Sequence, residues 1–384
     1  MSEEEIQCAA KNTTTQHTPF AQQYITPTVF TVGVIGNVLN LLVLNSKTMR
    51  SKTNYFLSSM AVADLGFFFV MIIYSLASFP TIAASPGFNK LYMHSKMALT
   101  ALANWFSTSS TWLAIAVTCE RLIAIRKPLH AKLLLKKKKI ITLIALIYAL
   151  SLPLFSYTFV WHKPIEVTVQ RCNMSRTWWT IQEINRTEHP WLENYVKLSL
   201  KLVPNVSITI PLFVLIVFNS LLLYSLNKSR KEAAQMGNNQ HHKAVELRVA
   251  MTVAITIAAF LLFQLPSAVL YLWDAINGSR NRPLWFYTVT TVSNVLVSTG
   301  KAVNFIIYCA SSKNFRIQLV RLFRKGRARN DRSSFSLHKN STQTPAFSSA
   351  TTPASAYRVA ALKVEENNKL LGCSTVNKKH CNKQ

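Results

Sequence analysis

The stretch "VLVSTGKAVNFIIYCASS" (residues 295–312) is apolar on both sides of a single lysine, Lys301. A block of this kind sits in lipid, where a charge at the bilayer centre costs about 2.5–3.5 kcal/mol on insertion scales. About ten residues of helix, roughly 15 Å, separate Lys301 from the nearer boundary, too far for its side chain to reach the interface. Lys301 therefore needs a partner or a cavity.

The surrounding chain has the same character. Of 384 residues, 49% are hydrophobic and only 15% charged. Seven apolar blocks are long enough to cross a bilayer, at 27–44, 54–79, 97–125, 140–161, 203–226, 247–273 and 284–310; about 20 apolar residues suffice. Lipid offers no partners for free backbone groups, so each must be a helix. The expected fold is an all-α membrane protein, a seven-transmembrane helix bundle. Within "SSKNFRIQLVRLFRKGR", Phe315, Leu319, Leu322 and Phe323 recur at helical spacing among arginines, which predicts a short amphipathic eighth helix ending at Gly326. The expected organisation is an outer segment over 1–26, the bundle with its eighth helix over 27–325, and a tail over 326–384. That tail is rich in Ser and Thr and poor in apolar residues, a composition that stays disordered.

The net charge of +28 does not point to nucleic acid. Of the 43 Lys and Arg, 30 fall in residues 47–52, 126–139, 228–248 and beyond 312, the alternate loops and the tail. The positive-inside rule makes that side cytoplasmic, and "KLLLKKKKI" becomes a cluster facing anionic membrane lipid. No interleaved aromatic or groove-reading element accompanies the charge. The N-terminus then lies outside, at the plasma membrane. The sequons at Asn12, Asn173, Asn185 and Asn277 fall on the outer side, as glycosylation requires, although two others fall inside. "MSEEEIQ" lacks the basic start of a cleaved signal, so the first span is expected to serve as the targeting signal. Cys8 and Cys172 share the oxidising side and are either a disulfide or two free thiols. No metal-ligand spacing occurs, no cofactor motif is present, and no nucleophile–base–orienter set suggests an enzyme.

Polar residues inside the spans are functional candidates. They are Asn37 in "VGVIGNVLN", Asp64 in "MAVADL", Ser110, Glu120 and Arg121 in "STSSTWLAIAVTCERLIAIRKPL", Gln264 with Pro266 in "FQLP", and Lys301, Asn304 and Tyr308.

Taken in order, "GN", "MAVADL", "ERLIAIRKPL", Pro211, Pro266, "NFIIY" and "SSKNFR" resemble the rhodopsin-class G-protein-coupled receptors over about residues 27–325. "QLP", "PLFVLIVFN" and "AVNFIIYC" are similar, more narrowly, to invertebrate FMRFamide-type neuropeptide receptors. The resemblance implies a receptor that passes binding of a short amidated neuropeptide to a heterotrimeric G protein, with arrestin and a receptor kinase acting on the Ser/Thr-rich tail. It implies a G-protein switch at Glu120, Arg121, Asn304 and Tyr308, and a sixth-helix toggle at Phe260, Gln264 and Pro266. It also implies a polar core at Asn37, Asp64, Ser110 and Asn304, which surrounds a sodium ion in that family. Lys301 departs from the pattern. Three residues before Asn304, it lies on nearly the same face, so it is expected to pair with Asp64 in the sodium's place, with Gly300 leaving room for its side chain. Lys96 stands where the family places the cysteine that bonds the second outer loop. Phe305 stands where a proline bends the seventh helix. Ala103 stands where monoamine receptors carry an aspartate, which disfavours a monoamine ligand.

The outer halves offer ligand contacts at Asn104, Trp105, Tyr271 and Asp274, with Glu188 and Glu193 in the second outer loop; their carboxylates suit the arginine of an RF-amide peptide. Three competing readings are an opsin, a chemosensory receptor with another ligand, and an ion-coupled transporter. The opsin reading needs its lysine at Ser298, and a transporter would show internal repeats, which are absent.

Overall fold

The computed structural model describes residues 21–49, 51–127, 131, 136–171, 174–184, 189–235, 240–277 and 282–324. Asn12, Asn173, Asn185, Glu188, Cys8, Cys172 and the tail over 326–384 lie outside the described residues.

The chain is a seven-transmembrane helix bundle. Among the described residues, five helices are long and apolar enough to cross a membrane alone, and a bent pair supplies a sixth. The remaining span is the third helix, Pro86–Arg126, whose 41 residues include the polar run Ser107 to Thr111. The first helix is Thr26–Leu44 and the second Lys52–Leu76. Ser51 caps the second by accepting from the Asn54 N–H at 3.2 Å, which satisfies one of the free donors of its first turn. The fourth begins at Lys137–Ser151 and reaches Trp161 through turns around Pro153. The sixth is Gln240–Asn277. Its outward residues, such as Leu262 and Val269, are exposed, as they must be where the solvent is lipid.

Three boundaries differ from expectation. The third helix starts at Pro86, eleven residues before the expected 97, because Pro86 sits in its first turn, where a missing N–H costs nothing. The loop expected over 162–202 is mostly regular structure. Strands β1 (His162–Arg171) and β2 (Met174–Glu183) pair antiparallel, and a helix starts at Pro190 with Pro again in its first turn. That helix runs through a π turn at Asn205–Thr209 into Ile210–Gln235, so the fifth span extends over Pro190–Lys231. Pro211 lies two residues beyond the π turn, and a proline inside a helix calls for such a local rearrangement.

The seventh helix has two segments, Leu284–Ala302 and Asn304–Ser311, bent by 42° at Val303. No proline causes this. Gly36 and Asn37 of the first helix press on the break: a Cβ at Gly36 would stand 3.0 Å from the Phe305 Cβ, and Asn37 Nδ2 donates to the Lys301 carbonyl at 3.3 Å. A side chain drawing on a helix's own acceptors is a recognised source of a kink. Residues 313–324 are helical, with Phe315 buried and Phe323 exposed. Phe315 stacks on Tyr308 at 5.6 Å, and Arg316 Nη1 donates to the carbonyls of Cys309 and Ala310 at 2.8 and 2.9 Å, closing the end of the seventh helix.

Gly300 serves contact between helices rather than the lysine side chain: a Cβ there would lie 2.7 Å from the Cβ of Phe263 in the sixth helix. Gly300→Ala forces these helices apart and is expected to cost about 1–3 kcal/mol. Gly87, with nothing within 4 Å of its hypothetical Cβ, is the control. Thermal melting of the detergent-solubilised protein should show a lowered Tm for Gly300→Ala and no change for Gly87→Ala.

Candidate functional site

The polar residues of the spans gather at three levels. The middle level centres on Asp64, which is fully buried in the second helix. Its Oδ1 accepts from Lys301 Nζ at 2.8 Å and from Ser110 Oγ at 2.8 Å, and its Oδ2 accepts from Asn304 Nδ2 at 3.4 Å. Both side chains of the ion pair are at most 2% exposed. Lys301 Nζ also lies 5.2 Å from the Phe67 ring centre, a cation–π contact that helps replace lost hydration. Asn37 does not touch the carboxylate. It donates to the Gly33 carbonyl at 2.9 Å and to the Lys301 carbonyl. The second, third and seventh helices thus meet through one carboxylate, and the first joins through the lysine's backbone.

At the second level, the end of the third helix, Arg121 grips Glu120 with two bonds, Nε to Oε2 at 2.6 Å and Nη2 to Oε1 at 3.0 Å. Such a fork is strong and geometrically specific. Thr53 Oγ1 of the second helix donates to the same Oε2 at 2.8 Å, so Glu120 is held by two helices. Nearby, Arg126 Nε donates to Ser225 Oγ of the fifth helix at 2.8 Å. Tyr308 is buried, and its hydroxyl lies beside Thr256 of the sixth helix without closing a hydrogen bond of normal geometry. Phe260 packs in the main apolar cluster with Leu113, Ile257 and Tyr308. Sequence reasoning missed Thr53, Arg126 and Ser225. A threonine in the first turn of a helix carries no motif of its own, and only the approach of the two helices gives it a role.

At the third level, the hairpin end, two cavities of about 530 and 350 Å³ share Met71, Tyr74, Asn294 and Ser298 in their linings. The deeper one is bordered by Asn104, Ser107, Gln264 and Tyr271, with Ala103 also in its wall. Pro266 lies within the sixth helix beyond Gln264. Three expected ligand contacts are placed elsewhere. Trp105 lines neither cavity; its Nε1 donates to the Tyr148 carbonyl at 2.9 Å in the contact between the third and fourth helices. Both Asp274 oxygens are taken by Arg282, from Nε at 2.7 Å and Nη2 at 2.8 Å, and this carboxylate holds the Arg282 guanidinium above its usual value. Glu193 pairs with Lys197 at 2.5 Å on an exposed helix turn, which the four-residue spacing favours. Asn277 is exposed at the end of the sixth helix.

The hairpin is fixed without the bridge that Lys96 makes impossible at its own position. Trp179 N–H donates to Asn89 Oδ1 at 2.8 Å, and Asn89 Nδ2 donates to the Trp179 carbonyl at 3.3 Å. His94 lies against the Trp179 ring at 4.5 Å. Asn89 therefore serves one residue of β2 as a neighbouring strand would. Among the described residues, no group of three or more His, Cys, Asp or Glu is gathered as a metal would require.

Breaking one side of the Asp64–Lys301 pair leaves a buried charge, at a cost of about 3–5 kcal/mol. Asp64→Asn alone should sharply reduce surface expression and Tm, and adding Lys301→Gln should restore part of both. A double variant no better than the single would show that the pair does not support the fold.

Comparison with known proteins agrees with this arrangement. A C. elegans protein named "Putative G-protein coupled receptor" is 28% identical over 340 residues, covering 83% of this chain and 76% of its own. The FMRFamide receptor of Drosophila melanogaster is 24% identical over 314 residues, covering 78% of this chain and 53% of its own. The human growth hormone secretagogue receptor type 1 is 28% identical over 309 residues, covering 77% and 78%. The family model for the serpentine type 7TM GPCR chemoreceptor Srw matches residues 24–326. With the bundle, the Glu120–Arg121 fork and the bent seventh helix, that match makes the chain a member of this family of G-protein-coupled receptors.

Proposed function

We propose that this receptor takes a short peptide at the hairpin end and signals to a heterotrimeric G protein at the Glu120–Arg121 end. The hairpin end faces the outside of the plasma membrane and the basic loops face the cytoplasm. The observation that carries this reading is the third helix. Over 41 residues, about 60 Å of helix, one element carries Asn89 under the hairpin, Ser110 on the Asp64 carboxylate, and the fork at its far end. A ligand that moves its outer half has a mechanical route to the fork. Cavities in the range of about 300–1,000 Å³ suit ligands of small-molecule or peptide-tip size, and both cavities here fall within it. Relatives named as receptors for FMRFamide and for growth hormone secretagogues favour a peptide, and an amidated one remains the reading closest to the first of these. The family's description as chemoreceptors favours a small chemical ligand as the second reading.

In the resting arrangement Arg121 is occupied by Glu120. Release of the fork frees a guanidinium to meet an incoming G-protein segment, and Tyr308, Asn304 and the toggle residues Phe260, Gln264 and Pro266 lie where the sixth and seventh helices would rearrange. Lys301 acts in this scheme as a built-in cation on Asp64, so the receptor needs no sodium ion there. Glycosylation at Asn277 and the other outer sequons, and arrestin and kinase binding at the tail, belong to the same reading.

Cells expressing the receptor with a promiscuous G protein, challenged with amidated neuropeptides, should respond with calcium release. The reading fails if peptides give nothing while small volatile or soluble chemicals do. Glu120→Gln should raise basal signalling severalfold, and Arg121→Ala should abolish it at normal surface expression. Agonist potency should be flat across sodium concentration in the native receptor and sodium-dependent in Lys301→Ser; equal sensitivity in both would sink the built-in cation.

A further inference from the structure

The cavities at the hairpin end are unusual in their charge. Among the described residues that line them, one carries a formal charge, Lys96 of the third helix. The hairpin's own carboxylates, Glu166 and Glu183, line neither cavity. Asp274 and Glu193 are engaged by Arg282 and Lys197. Lys96 is half-buried, and no ion pair involves it among the described residues. Its Nζ rests 5.9 Å from the Tyr92 ring centre, and Tyr92 itself stacks on Phe88 at 5.7 Å. Tyr92, Phe88, Asn89 and Trp179 line the same cavity.

This arrangement suits the ammonium of a receptor site better than that of a structural lysine. An ammonium is a compact charge with three donors, and the cavity supplies it with an aromatic bed but no anion. We propose that the ligand carries a carboxylate that pairs with Lys96. The proposal rests on the peptide-receptor reading above and gives the peptide a required chemistry. A carboxylate entering this cavity replaces water around the lysine with a charge-assisted hydrogen bond. A cationic ligand meets a like charge and, among the described lining residues, no acidic group. The arginine of an RF-amide peptide thus has no acidic partner among the described lining residues, and an acidic group elsewhere in the peptide supplies the ionic contact.

The test uses the full-length receptor in lipid nanodiscs and a synthetic mixture of random amidated hexapeptides. Retained peptides are identified by mass spectrometry against empty nanodiscs. On the native receptor and on Lys96→Arg, the ratio of retained peptides with an Asp or Glu to those without should rise about tenfold over the input ratio, the gain expected of one charge-assisted contact. On Lys96→Gln it should fall to the input level, and on Lys96→Glu the retained peptides should become rich in Arg and Lys. Lys96→Arg guards against loss of fold, because it keeps both charge and retention. The same library with free C-termini is the second arm. Retention of these peptides regardless of their side chains would identify the terminal carboxylate as the acidic group; Asp and Glu enrichment in both arms would identify a side chain. Either result supports the proposal. Amidated peptides retained on the native receptor without Asp or Glu enrichment, or the same set retained from either library on Lys96→Gln, would overturn it. Retention of neither library above that on empty nanodiscs would overturn the peptide reading itself, a different failure.

Discussion

The buried pair of Asp64 and Lys301 is the constraint on which the bundle turns. Two opposite charges lie together where neither could lie alone, and their geometry is set to 2.8 Å. Such a pair seldom adds net stability over apolar packing, but it fixes register. The second and seventh helices have one relative height at which the ammonium meets the carboxylate, and Ser110 and Asn304 bring the third helix and the far side of the bend to the same point. The bend itself follows from the neighbouring contact, since Asn37 reaches the backbone of the same lysine. One residue thus anchors the bundle through its side chain and its kink through its carbonyl.

Much of this was legible in the sequence, because lipid narrows the choices. A charge in an apolar run of this length must find an opposite charge, and of the carboxylates within the spans the family resemblance, which sets this face of the seventh helix against the second, pointed to Asp64 rather than Glu120. The seven spans were readable for the same reason, as was the Glu120–Arg121 adjacency. The failures have a common cause. The third helix contains too many Ser and Thr to declare its full length by apolarity, and the starts at Pro86 and Pro190 are local chemistry outside the lipid. The second outer loop was read by its charges alone, which passed over the apolar–polar alternation of Ile165, Glu166, Val167, Thr168 and Val169 in β1, the period of a half-buried strand. Asp274 was read as free because Arg282, eight residues later, lies across a turn that no periodicity reveals. Trp105 points to the fourth helix, and one residue of rotation on a helix face, about 100°, decides between a cavity and a helix contact.

The two ends of the molecule differ in how they hold their charges. At the fork, Glu120 accepts from Arg121 and from Thr53, so the arginine is held until something larger replaces its partner. At the hairpin end the aromatic walls surround a lysine with no counter-charge among the described lining residues. A closed network at one end and an open valence at the other is the polarity expected of a molecule that is acted on from one side and answers on the other.

The contact between Asn89 and Trp179 has a consequence of its own. A disulfide holding a loop contributes about 2–4 kcal/mol and opens only by reduction; two amide hydrogen bonds contribute about 0.5–1.5 kcal/mol each and open by thermal motion. With Lys96 in the place of a cysteine, the roof over the cavity is latched at this point rather than welded. Its lifting is a matter of temperature and of what lies beneath it, and the Asn89–Trp179 contact itself closes without an oxidant.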